Sequence, residues 1–146
     1  MRLKKLIMQA FGPFKDKVVI DFEKDKIDKG LLLITGDTGA GKTTIFDAIC
    51  YALYGNTSGD TREANSLRSD WASNDMDTYV YLEFYYKNKL YEIKRSPEYT
   101  RKKKNGIGET KQVATSEANI NGKIWHIIII VTAAIIELNP LSLISK

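Results

Sequence analysis

The stretch Gly36-Asp37-Thr38-Gly39-Ala40-Gly41-Lys42-Thr43 constrains this chain more than any other, because it fits Gly-x-x-x-x-Gly-Lys-[Ser/Thr] without a gap. Glycines at 36, 39 and 41 remove the Cβ atoms that would keep a polyphosphate off the backbone, so successive N–H groups can turn toward one anion. Lys42 is placed to reach the β- and γ-phosphates of a nucleotide. Thr43 offers a hydroxyl to Mg2+, which prefers oxygen ligands and shares its shell among water, a protein group and phosphate.

The flanks agree with the motif. Gly30-Leu31-Leu32-Leu33-Ile34-Thr35 is a short apolar run, which predicts a strand buried on both faces of a parallel sheet and ending at the phosphate loop. Lys42 to Tyr54 contains no glycine or proline and places Ile45, Ile49 and Leu53 at i, i+4, i+8, with Phe46, Ala48, Cys50 and Ala52 in neighbouring rows. That pattern predicts a core helix, stopped by Gly55, whose N-terminal dipole and unpaired N–H groups face the phosphates.

Composition narrows the setting. With 146 residues, 43% hydrophobic and 27% charged, the chain is long enough for one domain with a real core. The net charge of +4 is mild, yet Lys94, Arg95, Arg101, Lys102, Lys103, Lys104 and Lys111 concentrate much of it in one region, where an anionic partner would be met; a solvated loop is the plainer reading of the same run. Cys50 is the single cysteine, which rules out an intrachain disulfide and agrees with a reducing cytosol, and Met1-Arg2-Leu3-Lys4-Lys5 does not open a signal peptide.

Along the chain, Leu6, Met8 and Ala10 alternate with Ile7 and Phe11, and Gly12-Pro13 breaks the run before Val18, Ile20 and Phe22 alternate with Val19 and Asp21. This predicts an antiparallel hairpin of two edge-forming strands. Asn56 to Asp77 reads as a long polar loop, with Leu67, Trp71 and Met76 as apolar anchors and room for a short helix near Ser66 to Ala72. Thr78 to Tyr86 alternates strictly, Lys87-Asn88-Lys89 turns it, and Leu90 to Arg95 returns until Pro97. Glu98 to Glu109 reads as a loop. Thr110 to Ile120 is a weaker strand, turned by Asn121-Gly122, the preferred pair for a type I′ turn, into Lys123 to Val131. The apolar run Ile127 to Ile136 is far shorter than the roughly 20 residues a membrane-crossing helix needs. Thr132 to Leu138 suits a short helix ending before Pro140, and His126 has no second ligand at metal spacing.

Taken together, Phe11-Gly12-Pro13-Phe14, the phosphate loop with Thr44, Ile45-Phe46-Asp47-Ala48-Ile49, Tyr51-Ala52-Leu53-Tyr54-Gly55, Ser58-Gly59-Asp60-Thr61-Arg62 and Leu67-Arg68-Ser69-Asp70-Trp71-Ala72 closely resemble the N-terminal lobe of the SbcC family. These are bacterial SMC-like, ABC-type ATPases that partner a double-strand-break nuclease. The resemblance implies an α/β fold: a P-loop NTPase lobe with antiparallel β-hairpins beside the phosphate-loop strand and helix. It implies ATP and Mg2+ held by Gly36, Asp37, Thr38, Gly39, Ala40, Gly41, Lys42, Thr43 and Thr44, with Lys42 catalytic and Thr43 on the metal. It covers residues 1–122; residues 123–146 depart from the family as an atypical apolar tail, which reads as a truncated or frame-shifted remainder of the lobe.

In that family the head is built from two lobes at opposite ends of a very long chain, and ATP is sandwiched between two such heads. The implied partners are therefore the C-terminal lobe of the same head, an SbcD-type nuclease subunit, a second head and DNA bound without sequence preference, in the cytoplasm and away from membranes. The glutamine loop, signature motif and acidic Walker B residues of the family have no match here, so the chain reads as a cradle that binds a nucleotide without turning it over. Other readings are an inactive nucleotide-binding fragment, or the ATPase part of a RecF-like repair protein or a transporter.

Overall fold

The computed structural model describes residues 1–24, 33–58, 66–103 and 107–126. Six strands form one antiparallel sheet in the order β2-β1-β3-β4-β7-β8: β1 (Arg2–Phe11), β2 (Phe14–Asp21), β3 (Tyr79–Tyr86), β4 (Lys89–Ser96), β7 (Thr115–Ile120) and β8 (Lys123–His126). Two further strands, β5 (Tyr99–Lys102) and β6 (Glu109–Gln112), make a separate hairpin, and the helix α1 (Lys42–Tyr54) lies against β1, β3 and β4.

Period-two alternation sorts the sheet into two faces. Leu6, Met8, Val80, Leu82 and Phe84 are fully buried or nearly so and meet Ala48, Tyr51, Ala52 and Leu53 of the helix. Phe84 stacks on Tyr91 with centroids 5.2 Å apart, and Phe11 meets Tyr51 at 6.0 Å. The opposite face carries polar pairs, among them Lys4 with Glu83 at 3.3 Å and the Tyr81 hydroxyl donating to Glu92 at 2.7 Å. Burial first, then the bond to Glu92, pushes the Tyr81 phenol up. Both turns read from sequence adopt left-handed backbone, at Lys87 and Asn88 and at Asn121 and Gly122, as a type I′ hairpin requires.

The helix begins and ends where its sequence says, with Gly55 in the left-handed region donating its N–H to the Tyr51 carbonyl. Its buried stripe is rotated from the expected one: Thr44, Asp47, Ala48, Tyr51, Ala52 and Leu53 are buried, Ile45 and Ile49 only half so, and Phe46 is 52% exposed. Small Ala48 and Ala52 let the helix approach the sheet closely, which turns the isoleucines aside.

Five further expectations are corrected. Phe11 sits on the Leu6 and Met8 face, because the register shifts between Gln9 and Phe11 and Ala10 takes φ 50°, a bulge that re-aims the next side chain. The first strand is not an edge, since β1 pairs with both β2 and β3. Residues 33–35 of the apolar run before the loop lie in no strand and Leu33 is 78% exposed; among the described residues no parallel neighbour stands beside it to complete a ladder, and residues 30–32 lie outside those described. The loop expected from Glu98 to Glu109 contains β5, and the expected strand from Thr110 divides into β6 and β7, because Glu98 and Glu109 offset the basic run: Lys111 pairs with Glu98 at 2.6 Å and Lys102 stands opposite Glu109. No α-helix forms over residues 66–72: Ser66 alone is in 3-10 conformation, and the backbone beyond it is tied to β1's end, with Arg68 bridging Phe11 and Ser69 N–H donating to the Ala10 carbonyl. The expected continuation to Val131, the helix from Thr132 and the apolar run from Ile127 lie outside the described residues. Among those described, no helix is long and apolar enough to cross a membrane.

Candidate nucleotide-binding site

The phosphate loop is shaped by what touches its last glycine. Gly41 is the N-cap of α1 at φ 85°, and a Cβ built there would stand 2.6 Å from Phe14 Cζ and 3.1 Å from Pro13 Cγ. A β-carbon would strain the backbone and strike the β1–β2 turn, so glycine is required twice over. The same turn leans on the first helical residues, since a Cβ at Gly12 would lie 2.7 Å from Thr44 Cγ2. Thr44 is buried there, whereas Thr43 is exposed. A Cβ at Gly39 meets nothing within 4 Å and would project into open space.

Lys42 ties the loop together, its ammonium donating to the carbonyls of Gly36 and Asp37 at 2.7 Å each. The helix start carries no side-chain cap and no acidic residue in its first turn. Its leading N–H groups are thus left to an external acceptor, and the partial positive charge of the helix end is unopposed. Glycine-lined backbone, an uncapped helix N-terminus, one ammonium and one exposed hydroxyl make a donor set that fits a nucleotide polyphosphate with Mg2+. The metal would take Thr43 Oγ1 together with phosphate and water; among the described residues no cluster of three or more His, Cys, Asp or Glu is arranged to hold a metal.

The loop opens on a cavity of about 560 Å3. Gly12 and Pro13 form one wall, and Thr38, Gly39 and Gly41 to Thr44 form the floor. A further wall is Ser66, Arg68, Asp70 and Trp71, of which sequence reasoning grouped Arg68, Asp70 and Trp71 with the chain's resemblance but not with the site. That wall is built by tertiary pairing: Gly12 N–H donates to the Leu67 carbonyl at 2.9 Å and Ser69 N–H to that of Ala10 at 2.9 Å. Arg68 braces it from behind, donating to the carbonyls of Met76 and Ser73 and to the Thr78 hydroxyl, with its guanidinium 4.5 Å from the Tyr99 ring centre. Leu67 buries as expected, but Trp71 is 69% exposed.

Two contacts hold the helix that carries Lys42 and Thr43. Buried Asp47 accepts hydrogen bonds from the backbone N–H and the hydroxyl of Ser58. Arg95 of β4 donates Nε–H to the Ala52 carbonyl at 2.8 Å, a cation at the negative end of the helix. Burial lowers the Arg95 guanidinium from its ordinary range and raises the Tyr51 phenol to about 12, despite the cation near it.

The basic run is spread over different surfaces. Arg95 faces the helix, Lys94 lies over the Tyr79 ring at 4.7 Å on the opposite face, Arg101 stands 3.8 Å from Asp77, and Lys102 and Lys103 are exposed on or beside β5; Lys104 lies outside the described residues. Cys50 is half-buried in α1 with its thiol pushed up by burial, which suits packing and not nucleophilic chemistry.

A family model described as an AAA domain matches residues 5–141. The SbcC subunit of the nuclease SbcCD from Vibrio cholerae is 49% identical over 112 residues, which are 77% of this chain and 11% of that protein. Its counterpart from Lactococcus lactis is 48% identical over 116 residues, 79% of this chain and 11% of that protein, and that from Staphylococcus aureus 45% identical over 100 residues, 68% and 10%. The chain thus spans about a tenth of the length of these curated relatives. With a phosphate loop at an uncapped helix start and this degree of identity, the chain belongs to the AAA domain family, and its relatives there are the SbcC subunits of the SbcCD nuclease.

Proposed function

We propose that residues 1–122 form the ATP-binding lobe of an SbcC-type ATPase head, in which ATP binding and hydrolysis gate the processing of DNA ends by an SbcD-type nuclease subunit in the cytoplasm. The observation that carries this reading is the uncapped start of α1, with Lys42 fixed across the loop and Thr43 exposed beside it. Gly36 to Thr44 hold the triphosphate, Lys42 faces its β- and γ-phosphates, and Thr43 takes Mg2+, which supplies charge neutralisation on the phosphate oxygens when bound. Residues 123–146 are the remainder of the lobe, beginning with β8 (Lys123–His126) on the edge of its sheet.

Phosphoryl transfer to water also needs an oriented water and further charge stabilisation on the γ-phosphate, which a cradle, one lysine and one metal ligand do not supply. The C-terminal lobe and a second head provide the rest, so the 146-residue chain binds ATP without turning it over. Mixing it with the C-terminal lobe of an SbcC relative tests this: magnesium-dependent ATP binding is expected in the chain alone, and hydrolysis above background only in the mixture. No such binding, even with that lobe added, overturns the reading. Lys94, Lys102 and Lys103 serve as the DNA-backbone contacts, for which affinity must fall steeply with salt and ignore sequence; salt-independent affinity removes that part alone.

A further inference from the structure

One large side chain at the site remains without work. Trp71 is 69% exposed on the rim of the cavity that the phosphate loop opens into, and no ring or cation packs on its indole among the described residues. Exposing an indole forfeits the apolar burial that such a ring usually finds, which marks it as a surface prepared for something flat. Its mounting is firm. Trp71 occupies the turn Ser69–Ala72, closed by Ala72 N–H on the Ser69 carbonyl at 3.1 Å. The foot of that turn is tied to β1 through Ser69 N–H on Ala10 and the Arg68–Phe11 bridge, and its far side is held by Arg68 on Ser73 and Met76. Thr38, Gly39 and Trp71 line one cavity, and its 560 Å3 falls within the roughly 300–1,000 Å3 of small-molecule clefts.

We propose that Trp71 is the nucleobase platform of this site: its indole stacks on the base of a nucleoside triphosphate whose phosphates lie on Gly36 to Thr44. The inference rests on the phosphate-site reading and adds the part of the ligand that reading leaves unassigned. Stacking tolerates every base, because each has a π-face, so the platform favours nucleotides over bare phosphate chains more than it separates one base from another. Neighbouring Asp70, exposed on the same rim, discourages phosphate there and keeps that end of the cavity for the sugar and base.

The test compares magnesium-ATP with magnesium-tripolyphosphate, a ligand with phosphates and no base, by calorimetry on the parent, Trp71→Ala and Trp71→Phe. Trp71→Ala should weaken ATP binding by about 5- to 150-fold, the range of a lost base stack, and leave tripolyphosphate unchanged. Trp71→Phe should retain most of the ATP affinity. Exposure of the ring means that neither variant disturbs the core, and a thermal melt confirms the fold. In a Trp125→Phe background, where Trp71 is the remaining tryptophan, ATP should quench its emission and tripolyphosphate should not. If the parent binds tripolyphosphate as tightly as ATP, or Trp71→Ala weakens both ligands equally, the platform is overturned while the phosphate site stands. If the parent binds neither ligand, the phosphate-site reading itself falls, and the platform with it.

Discussion

Replacing Gly41 by alanine separates backbone strain from steric conflict at the one position where the loop, the helix and the β1–β2 turn meet. Gly41 sits at φ 85°, where an L residue pays about 1–2 kcal/mol relative to its preferred conformations. The added Cβ would also stand 2.6 Å from Phe14 Cζ and 3.1 Å from Phe14 Cε2, far inside contact distance. Those atoms are the outer end of a half-buried ring, which swings aside at the cost of its packing against the core. Overpacking of this kind costs about 1–3 kcal/mol, so the two effects together give about 2–5 kcal/mol of lost stability. Urea unfolding of the parent, Gly41→Ala, Phe14→Ala and the double variant closes a cycle. Gly41→Ala should cost much less in the Phe14→Ala background, with a coupling of about 0.5–3 kcal/mol, and should keep its strain cost there. If Gly41→Ala is as stable as the parent, the loop does not hold a left-handed residue at that position. If the two substitutions add without coupling, Phe14 does not press on the loop.

The remaining predictions probe the scaffold of the site. Asp47→Ala removes the buried acceptor of the Ser58 N–H and hydroxyl and should cost about 1–3 kcal/mol in urea unfolding, with Asp47→Asn recovering part of it; an unchanged midpoint refutes the anchoring of Ser58. The Tyr51 phenol, raised from 10.0 to about 12 by burial, contributes stability that is complete below about pH 10 and is lost as pH rises toward 12, because unfolding then releases its proton. Tyr51→Phe should flatten that alkaline fall in thermal melts, leaving the share that Tyr81 contributes in the same direction; an identical fall in both proteins contradicts the burial of the phenol.

How much of this was legible depends on which interactions set each feature. The helix was readable to the residue because Gly41 and Gly55 bracket an uninterrupted run, and β1 to β4 because one face is buried in β1, β3 and β4 and half-buried in β2, which imposes period two. The bulge at Ala10 was not, since a single-residue register shift leaves no periodic trace and moves Phe11 from one face to the other. The β5–β6 hairpin hid beneath lysines whose charge is balanced only across the strands by Glu98 and Glu109. Leu33 and its neighbours read as a buried strand from apolarity alone, but a strand also needs a ladder partner. At the site, the loop announced itself through its spacing, whereas Arg68, Asp70 and Trp71 reached the cavity through pairing between residues 66–69 and the end of β1. A single large aromatic inside a polar stretch was the available signal for Trp71, and it was read as a core anchor.

The central claim is that Gly36 to Thr43 hold the phosphates of a nucleotide through Lys42 and the start of α1. Calorimetric titration of magnesium-ATP into the parent, Lys42→Ala and Lys89→Ala tests it most directly, since Lys89 carries the same charge on the exposed end of the β3–β4 hairpin. The structure predicts equal affinity for the parent and Lys89→Ala and a loss of about tenfold or more for Lys42→Ala, the 1.4 kcal/mol or greater that a charge-assisted contact to phosphate carries. Equal affinity in all three proteins would contradict it.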